Sequence, residues 1–179
     1  AKLIHDVLKL NEKNLSDNQK LLIKIVDDYD SYQLKIPFSK QLNQIFWSYT
    51  GDRVAKFVKD FGNGFFGFNE FQKNAFKIIE NKIERFFKEE TIHTGELKLG
   101  GKNYKIAGVF VTFSPNEIAE KIIKDHDIDF VLMINLNAKN VYLRKNEKCS
   151  LDMGKLANKL MGGGGHDDAA GGKLNDTII

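Results

Sequence analysis

The sequence predicts an α/β fold: a helical connector followed by a compact α/β domain, with a mixed central sheet and helices packed on it. Three observations carry this expectation. Apolar residues recur at helical spacing through residues 38–90. From about Thr91 the pattern changes to alternation and short apolar runs, as in strands. Between those runs stand helix signals, of which Ser114-Pro115-Asn116-Glu117 is the strongest.

Residues 1–34 read as two amphipathic helices. Leu3, Ile4, Val7 and Leu8 stripe the first; Leu21, Leu22, Ile25, Val26 and Tyr29 stripe the second. Residues 11–17 form a polar bridge, in which Ser16 or Asp17 offers an N-cap. The second helix ends in Asp27-Asp28-Tyr29-Asp30. Carboxylates there oppose the negative end of the helix dipole, which calls for a compensating partner such as a cation. Next, Leu42, Ile45, Phe46 and Tyr49 mark one short helix and Val54, Phe57, Val58 and Phe61 another. After the turn Gly62-Asn63-Gly64 comes the longest helix, with Phe71, Ala75, Ile78, Ile79, Ile83, Phe86 and Phe87 on its apolar face. Eleven of the fourteen phenylalanines lie between Phe38 and Phe87, which suits a helical layer packed with aromatic rings.

Beyond Thr91, Leu97, Leu99 and the run 104–111, interrupted by Gly100-Gly101, read as a hairpin leading into a buried strand. Ser114 then caps a helix, Pro115 takes its first position and Glu117 completes a capping box. Ile118, Ala119, Ile122 and Ile123 give that helix its buried face. Strands at 129–136 and 141–144 flank an Asn/Lys turn, and Ser150 caps a last helix that runs to Met161 and stops at four glycines. The second half therefore reads β-β-α-β-β-α-β.

Composition narrows the classes. Hydrophobic residues at 42% fit a globular chain rather than a disordered one. With 27 basic and 24 acidic side chains, a net charge of +3 is too small to prove a nucleic-acid partner. No apolar run approaches the roughly 18 residues of a membrane span, and no signal-peptide pattern opens the chain. The single cysteine, Cys149, excludes an internal disulfide and a multi-cysteine metal knuckle, and nothing beside it activates a thiol. These features favour a cytoplasmic protein without a membrane partner.

The chemistry concentrates in Gly162-Gly163-Gly164-Gly165-His166-Asp167-Asp168-Ala169-Ala170-Gly171-Gly172, where six of the fifteen glycines fall. Four successive glycines let a ligand touch backbone, and consecutive N–H groups can form an anion-binding concavity. His166 beside them can donate to a phosphate, and the small residues that follow let a strand pass close by. A glycine linker or an oversized helix stop is the ordinary alternative. The position of the glycines between an amphipathic helix and an apolar strand argues against it.

With Val141-Tyr142-Leu143-Arg144 before it, the helix at 151–161 and the GGGGH motif at 162–166, this segment resembles the substrate-binding C-terminal domain of the DHH phosphoesterase superfamily. That domain also ends alanyl-tRNA synthetases. Upstream, Ile25-Val26-Asp27-Asp28-Tyr29-Asp30-Ser31-Tyr32 and then Lys40-Gln41-Leu42-Asn43 are similar to the region after the DHH motif in small bacterial oligoribonuclease-like members. The resemblance implies three parts: residues 1–34 as a remnant of the catalytic domain, 35–90 as a connector setting the cleft width, and 91–179 as the DHH-associated domain. It implies that Arg144, the amides of Gly163, Gly164 and Gly165, and His166 hold a terminal phosphate or nucleotide. It also implies Asp30 as a ligand of a divalent catalytic metal, usually manganese. A solvated helix end or an Asx cap is the equal alternative for the acid cluster, and a surface arginine is the ordinary one for Arg144.

The family's Asp-x-Asp and Asp-His-His elements are absent, since the only histidines are His5, His93, His126 and His166. The chain therefore resembles the part of such an enzyme that follows the Asp-His-His motif, expected to bind and not to cut. The implied full-length protein is a metal-dependent hydrolase of exonuclease or oligoribonuclease type, acting on short RNA, single-stranded nucleic acid or a nucleotide. Cyclic or linear dinucleotides and phosphoadenosine are the alternative substrates, and a non-catalytic nucleic-acid- or tRNA-binding module is the rival class. An N-terminal catalytic domain and a second copy, giving a homodimer, are the expected protein partners. Asp167 and Asp168 depart from the family pattern. Two negative charges there weaken anion binding unless they point away or hold a cation. Two further segments are set aside: Phe66-Gly67-Phe68-Asn69-Glu70-Phe71 reads as core or hinge packing rather than an RNA-recognition strand, and Asp125-His126-Asp127 as a solvated turn.

Overall fold

The structure, a computed structural model, describes residues 15–31 and 33–174. The first expected stripe (Leu3, Ile4, Val7 and Leu8) lies outside the described residues, as does Tyr32. Among those described are six helices and six strands: α1 Asp17–Asp30, α2 Ser39–Ser48, α3 Arg53–Phe61, α4 Glu70–Glu89, β1 His93–Leu99, β2 Lys102–Phe110, α5 Pro115–His126, β3 Phe130–Asn135, β4 Asn140–Lys145, α6 Met153–Met161, β5 Gly164–Gly165 and β6 Ala169–Lys173. The fold is α/β. The chain divides into two units between Asn81 and Lys82, inside α4.

In the first unit, α1 begins with a full capping box: the Ser16 hydroxyl accepts from the Gln19 N–H while the Gln19 side chain accepts from the Ser16 N–H. Of the acids at its far end, Asp28 is held by backbone N–H groups and a hydroxyl. Asp28, 7% exposed, accepts from the Lys35 and Ile36 N–H groups at 3.0 Å each and from the Ser39 hydroxyl at 2.5 Å. Burial alone pushes this carboxyl up, but the bonds from Ser39, Ile36 and Lys35 outweigh it, so it titrates below its ordinary 3.8. Ile25, Leu42, Ile45, Phe61 and Phe65 form the core, extended by edge-on and tilted ring contacts among Phe57, Phe61, Phe65, Phe68 and Phe76.

Not every residue of the expected apolar faces goes inside. Val54, Val58, Phe71 and Ile78 are more than half exposed, and Phe66 is exposed where its neighbour Phe68 packs in the ring cluster. The apolar stripes of α3 and α4 are wider than the core they meet. Periodicity reports which face is apolar, not what covers it.

In the second unit the strand order is β1-β2-β3-β4-β6-β5. Only β2 and β3 run parallel, joined through α5; every other pair is antiparallel, so the sheet is mixed. Gly100 and Gly101 both take positive φ, the conformation a two-residue hairpin turn needs. Alternation sends each strand's side chains to opposite faces. On one, Ile118, Ala119 and Ile122 of α5 are fully buried against Ala107, Val109, Val131 and Met133. On the other, Met153, Leu156, Ala157 and Met161 of α6 pack on Tyr104, Phe130, Val141 and Leu143. Burying a side chain of this size contributes about 1.5–3 kcal/mol.

Two capping expectations are corrected. Ser114 sits in the left-handed region (φ 42, ψ 50) and makes no side-chain cap bond, because an N-cap hydroxyl reaches the first turn only from extended backbone. Pro115 still opens α5. Ser150 does not cap α6; Asp152 does, accepting from the Lys155 N–H at 2.9 Å. One strand exceeds expectation, since the glycine run itself pairs as β5 with β6.

Candidate functional site

Helix α5 packs on β3 and β4, whereas α6 packs on β4, β5 and β6 from the opposite face. Beside α5, over β4, β6 and β5, lies an open groove of about 760 Å³, the size range of ligand pockets. Its floor follows from register. Residues directly opposite in a ladder share a face. Met133 pairs with Tyr142, Tyr142 with Gly171 and Gly171 with Gly164, so the middle row runs from two large side chains onto two bare positions.

On one side of that row, Arg144 pairs with Ala169, whose carbonyl accepts from the His166 N–H at 2.8 Å. Arg144, Ala169 and His166 therefore form a second cross-strand row on the groove's face. Arg144 is 7% exposed, and its Nη2 donates to Asn116 Oδ1 at 2.7 Å. Asn116, in the first turn of α5, lines the groove directly, while Arg144 stands behind it. His166 is exposed at the end of β5.

The four glycines do different things. A Cβ on Gly163 would meet the Gly171 carbonyl oxygen at 2.1 Å, and the Gly163 N–H closes α6 by donating to Ala157 O at 3.2 Å. Gly164 takes no positive φ, and a Cβ on it would meet nothing within 4 Å, so the fold itself does not require glycine there. Its N–H faces the ladder. The alternation of an antiparallel pair turns the Gly165 N–H to the open edge of β5. Of the three amides assigned to anion binding, Gly165's is directed outward, Gly164's joins the ladder and Gly163's serves the helix end.

Asp167 points away from this face. Its carboxylate meets Lys145 Nζ at 2.5 Å, and Lys145, 7% exposed at its side chain, also donates to Leu151 O on the α6 side. Of the two charges beside the glycines, that of Asp167 is thereby neutralised on the opposite side of the sheet.

Asp30 closes α1 in the first unit. Among the described residues no three His, Cys, Asp or Glu side chains are grouped to hold a metal ion, so these residues do not by themselves fit a divalent centre. Asp125 and Asp127 pair with Lys121 and Lys105 at 2.7 and 2.8 Å, as a solvated turn should, and Cys149 is buried. No described helix is long and apolar enough to cross a membrane. The sequence reading missed Asn116, which it took only as part of a helix start. It also missed Asn140, Tyr142 and Lys173, although Tyr142 sits two residues from Arg144, at the strand period.

No family model matches the chain. An alanine–tRNA ligase from Methanococcus aeolicus is 32% identical over 121 residues, covering 56% of this chain and 13% of that protein. Among solved structures, a pGpG-specific phosphodiesterase, PggH, from Vibrio cholerae superposes with a TM-score of 0.52 at 12% identity, covering 96% of this chain and 66% of that one. An uncharacterized protein from Helicobacter pylori G27 gives 0.37 at 16% identity, over 98% and 60%. The chain thus shares a fold with a phosphodiesterase and spans less than two thirds of each of these three proteins.

Proposed function

We propose that this chain is the substrate-binding portion of a metal-dependent phosphoesterase of the DHH superfamily, of exonuclease or oligoribonuclease type. Its substrate is short single-stranded nucleic acid or a nucleotide phosphoester. The observation that carries the reading is Gly164: a glycine with ordinary φ and open space over it, on the same face as Arg144, Asn116 and His166. A bare backbone beside a guanidinium and an imidazole suits an anionic group that must approach closely. Flexible single strands fit such a surface better than duplex does. The shared fold with a phosphodiesterase agrees with this.

In this reading residues 1–34 belong to a catalytic domain, 35–90 connect, and 91–179 bind substrate. Asp30 contributes to a manganese site whose other ligands come from a catalytic domain N-terminal to this chain, so this chain binds without cutting. A second reading, a non-catalytic tRNA-binding module, is favoured by the 32% identity to an alanine–tRNA ligase.

Calorimetric titration separates the two. The phosphoesterase reading expects a 5′-phosphorylated dinucleotide to bind at least tenfold tighter than the unphosphorylated dinucleoside phosphate, about 1.4 kcal/mol. Tight binding of intact tRNA with no response to the 5′-phosphate favours the module. No binding of any of these ligands overturns both.

A further inference from the structure

Opposite the Arg144 row, the groove ends in a second polar row that neither the glycine motif nor the proposed chemistry accounts for. Asn140 pairs with Lys173 across β4 and β6, on the face that also carries Tyr142 and Arg144. Lys173 Nζ lies 2.9 Å from Asn140 Oδ1, and Asn140 Nδ2 lies 3.1 Å from the Tyr142 hydroxyl. The hydrogen bonding of this chain has one polarity. An ammonium only donates, so the oxygen of the Asn140 amide must face it and the amide nitrogen must face the phenol. That nitrogen donates, which makes the Tyr142 oxygen the acceptor and leaves its hydroxyl hydrogen to point elsewhere. Among the described residues, Lys173 Nζ donates to Asn140 Oδ1, which leaves two ammonium hydrogens for a ligand. All three residues line the groove.

We infer that the Asn140–Lys173–Tyr142 row is a second binding pole of the groove, which takes an acceptor-rich group of the same ligand. The inference rests on the substrate-binding reading above and adds the far end of the ligand to it. Asn140 and Arg144 are four residues apart on one strand, about 13 Å, so a bare phosphate cannot engage both poles and a nucleotide-length ligand can. Between them lie the Tyr142 ring and Gly171, where a Cβ would come within 3.7 Å of Tyr142 Cδ1. That stretch offers a stacking surface next to a bare strand. Asn140 acts as a positioning residue: by accepting from Lys173 and donating to Tyr142 it fixes both donors toward the groove. The acceptor they meet is either a second phosphate or the O6/N7 edge of a guanine, which a lysine donor also fits.

The test titrates the full chain with 5′-phosphorylated diguanylate, 5′-phosphorylated diadenylate, and the diadenylate carrying an additional 3′-phosphate. The proteins compared are the wild type, Tyr142→Phe, Lys173→Met and His166→Ala. Tyr142→Phe keeps the ring and removes only the hydroxyl, and Lys173 is exposed, so the fold survives both. The pole predicts at least a fivefold loss of affinity in Tyr142→Phe and in Lys173→Met. A loss confined to the diguanylate identifies the base edge, and one confined to the 3′-phosphorylated ligand identifies a second phosphate. Unchanged affinity of both variants for all three ligands, with His166→Ala still weakening them, overturns the second pole and leaves the substrate-binding reading standing. Failure of the wild type to bind any of the three removes that reading, and the pole falls with it.

Discussion

Arg144 and His166 are joined through one residue: Ala169 pairs with Arg144 on β4, and its carbonyl accepts the His166 N–H at 2.8 Å. The small side chain between them leaves the space over that row open. Because His166 is exposed and makes no core contact, His166→Ala should leave the thermal midpoint unchanged and weaken a 5′-phosphorylated dinucleotide about tenfold, as expected for loss of one charge-assisted bond. Arg144 is buried and bonded to Asn116, so Arg144→Ala should cost both stability and affinity. Asn116→Ala, which spares the guanidinium, separates the two effects. Titration alongside thermal denaturation reads them, and an affinity indifferent to all three changes would remove this row from the site.

The glycines make a sharper contrast. Gly163→Ala forces a methyl group to within 2.1 Å of the Gly171 carbonyl and should destabilise the second unit by about 1–3 kcal/mol. A Cβ on Gly164 meets no atom within 4 Å, so Gly164→Val should leave the denaturation midpoint where it is while abolishing dinucleotide binding. Equal stability losses in both variants, or intact binding by the valine variant, would show that the open space over Gly164 is not where ligand sits.

Much of this unit was legible in the sequence because its signals are local. The change of period near Thr91, the Gly100-Gly101 turn and the Ile118/Ala119/Ile122 stripe each specify an element from within itself, and the structure carries all of them. What escaped was set across elements. Asn116 belongs to the groove only because α5 brings its first turn to Arg144, and Lys173 only because register lays it against Asn140. Ser114 failed as a cap through its backbone conformation, which composition does not report. The exposed Val54, Val58 and Phe71 failed as core for a similar reason, since an apolar face says nothing of its neighbour.

Asp28 gives the first unit an acid-sensitive joint. Its carboxyl titrates below the ordinary 3.8 while accepting from Lys35, Ile36 and Ser39, so the charged form is the one these bonds favour. A carboxyl depressed in the folded state contributes stability that is complete above the ordinary value and lost as pH falls through the depressed one. Chemical denaturation should therefore give Asp28→Asn a deficit that is constant from neutral pH down to about 5 and shrinks below 4. A deficit that grows on acidification would reverse the assignment.

Asp167 carries one of the two charges that argue against an anion site beside the glycines, and its geometry takes that charge out of the groove. The carboxylate is held by Lys145 on the α6 face, and the Lys145 ammonium is anchored again by Leu151 O. Asp167→Asn therefore relieves no repulsion in the groove, and dinucleotide affinity should change by less than about twofold at moderate ionic strength. The cost appears in stability instead. Asp167 is 68% exposed and Lys145 only 7%, so the loss should be nearer the roughly 1 kcal/mol of a solvated pair than the larger value of a buried one. A marked gain in affinity without loss of stability would mean that the carboxylate turns toward the glycines when ligand arrives, and that Lys145 does not restrain it.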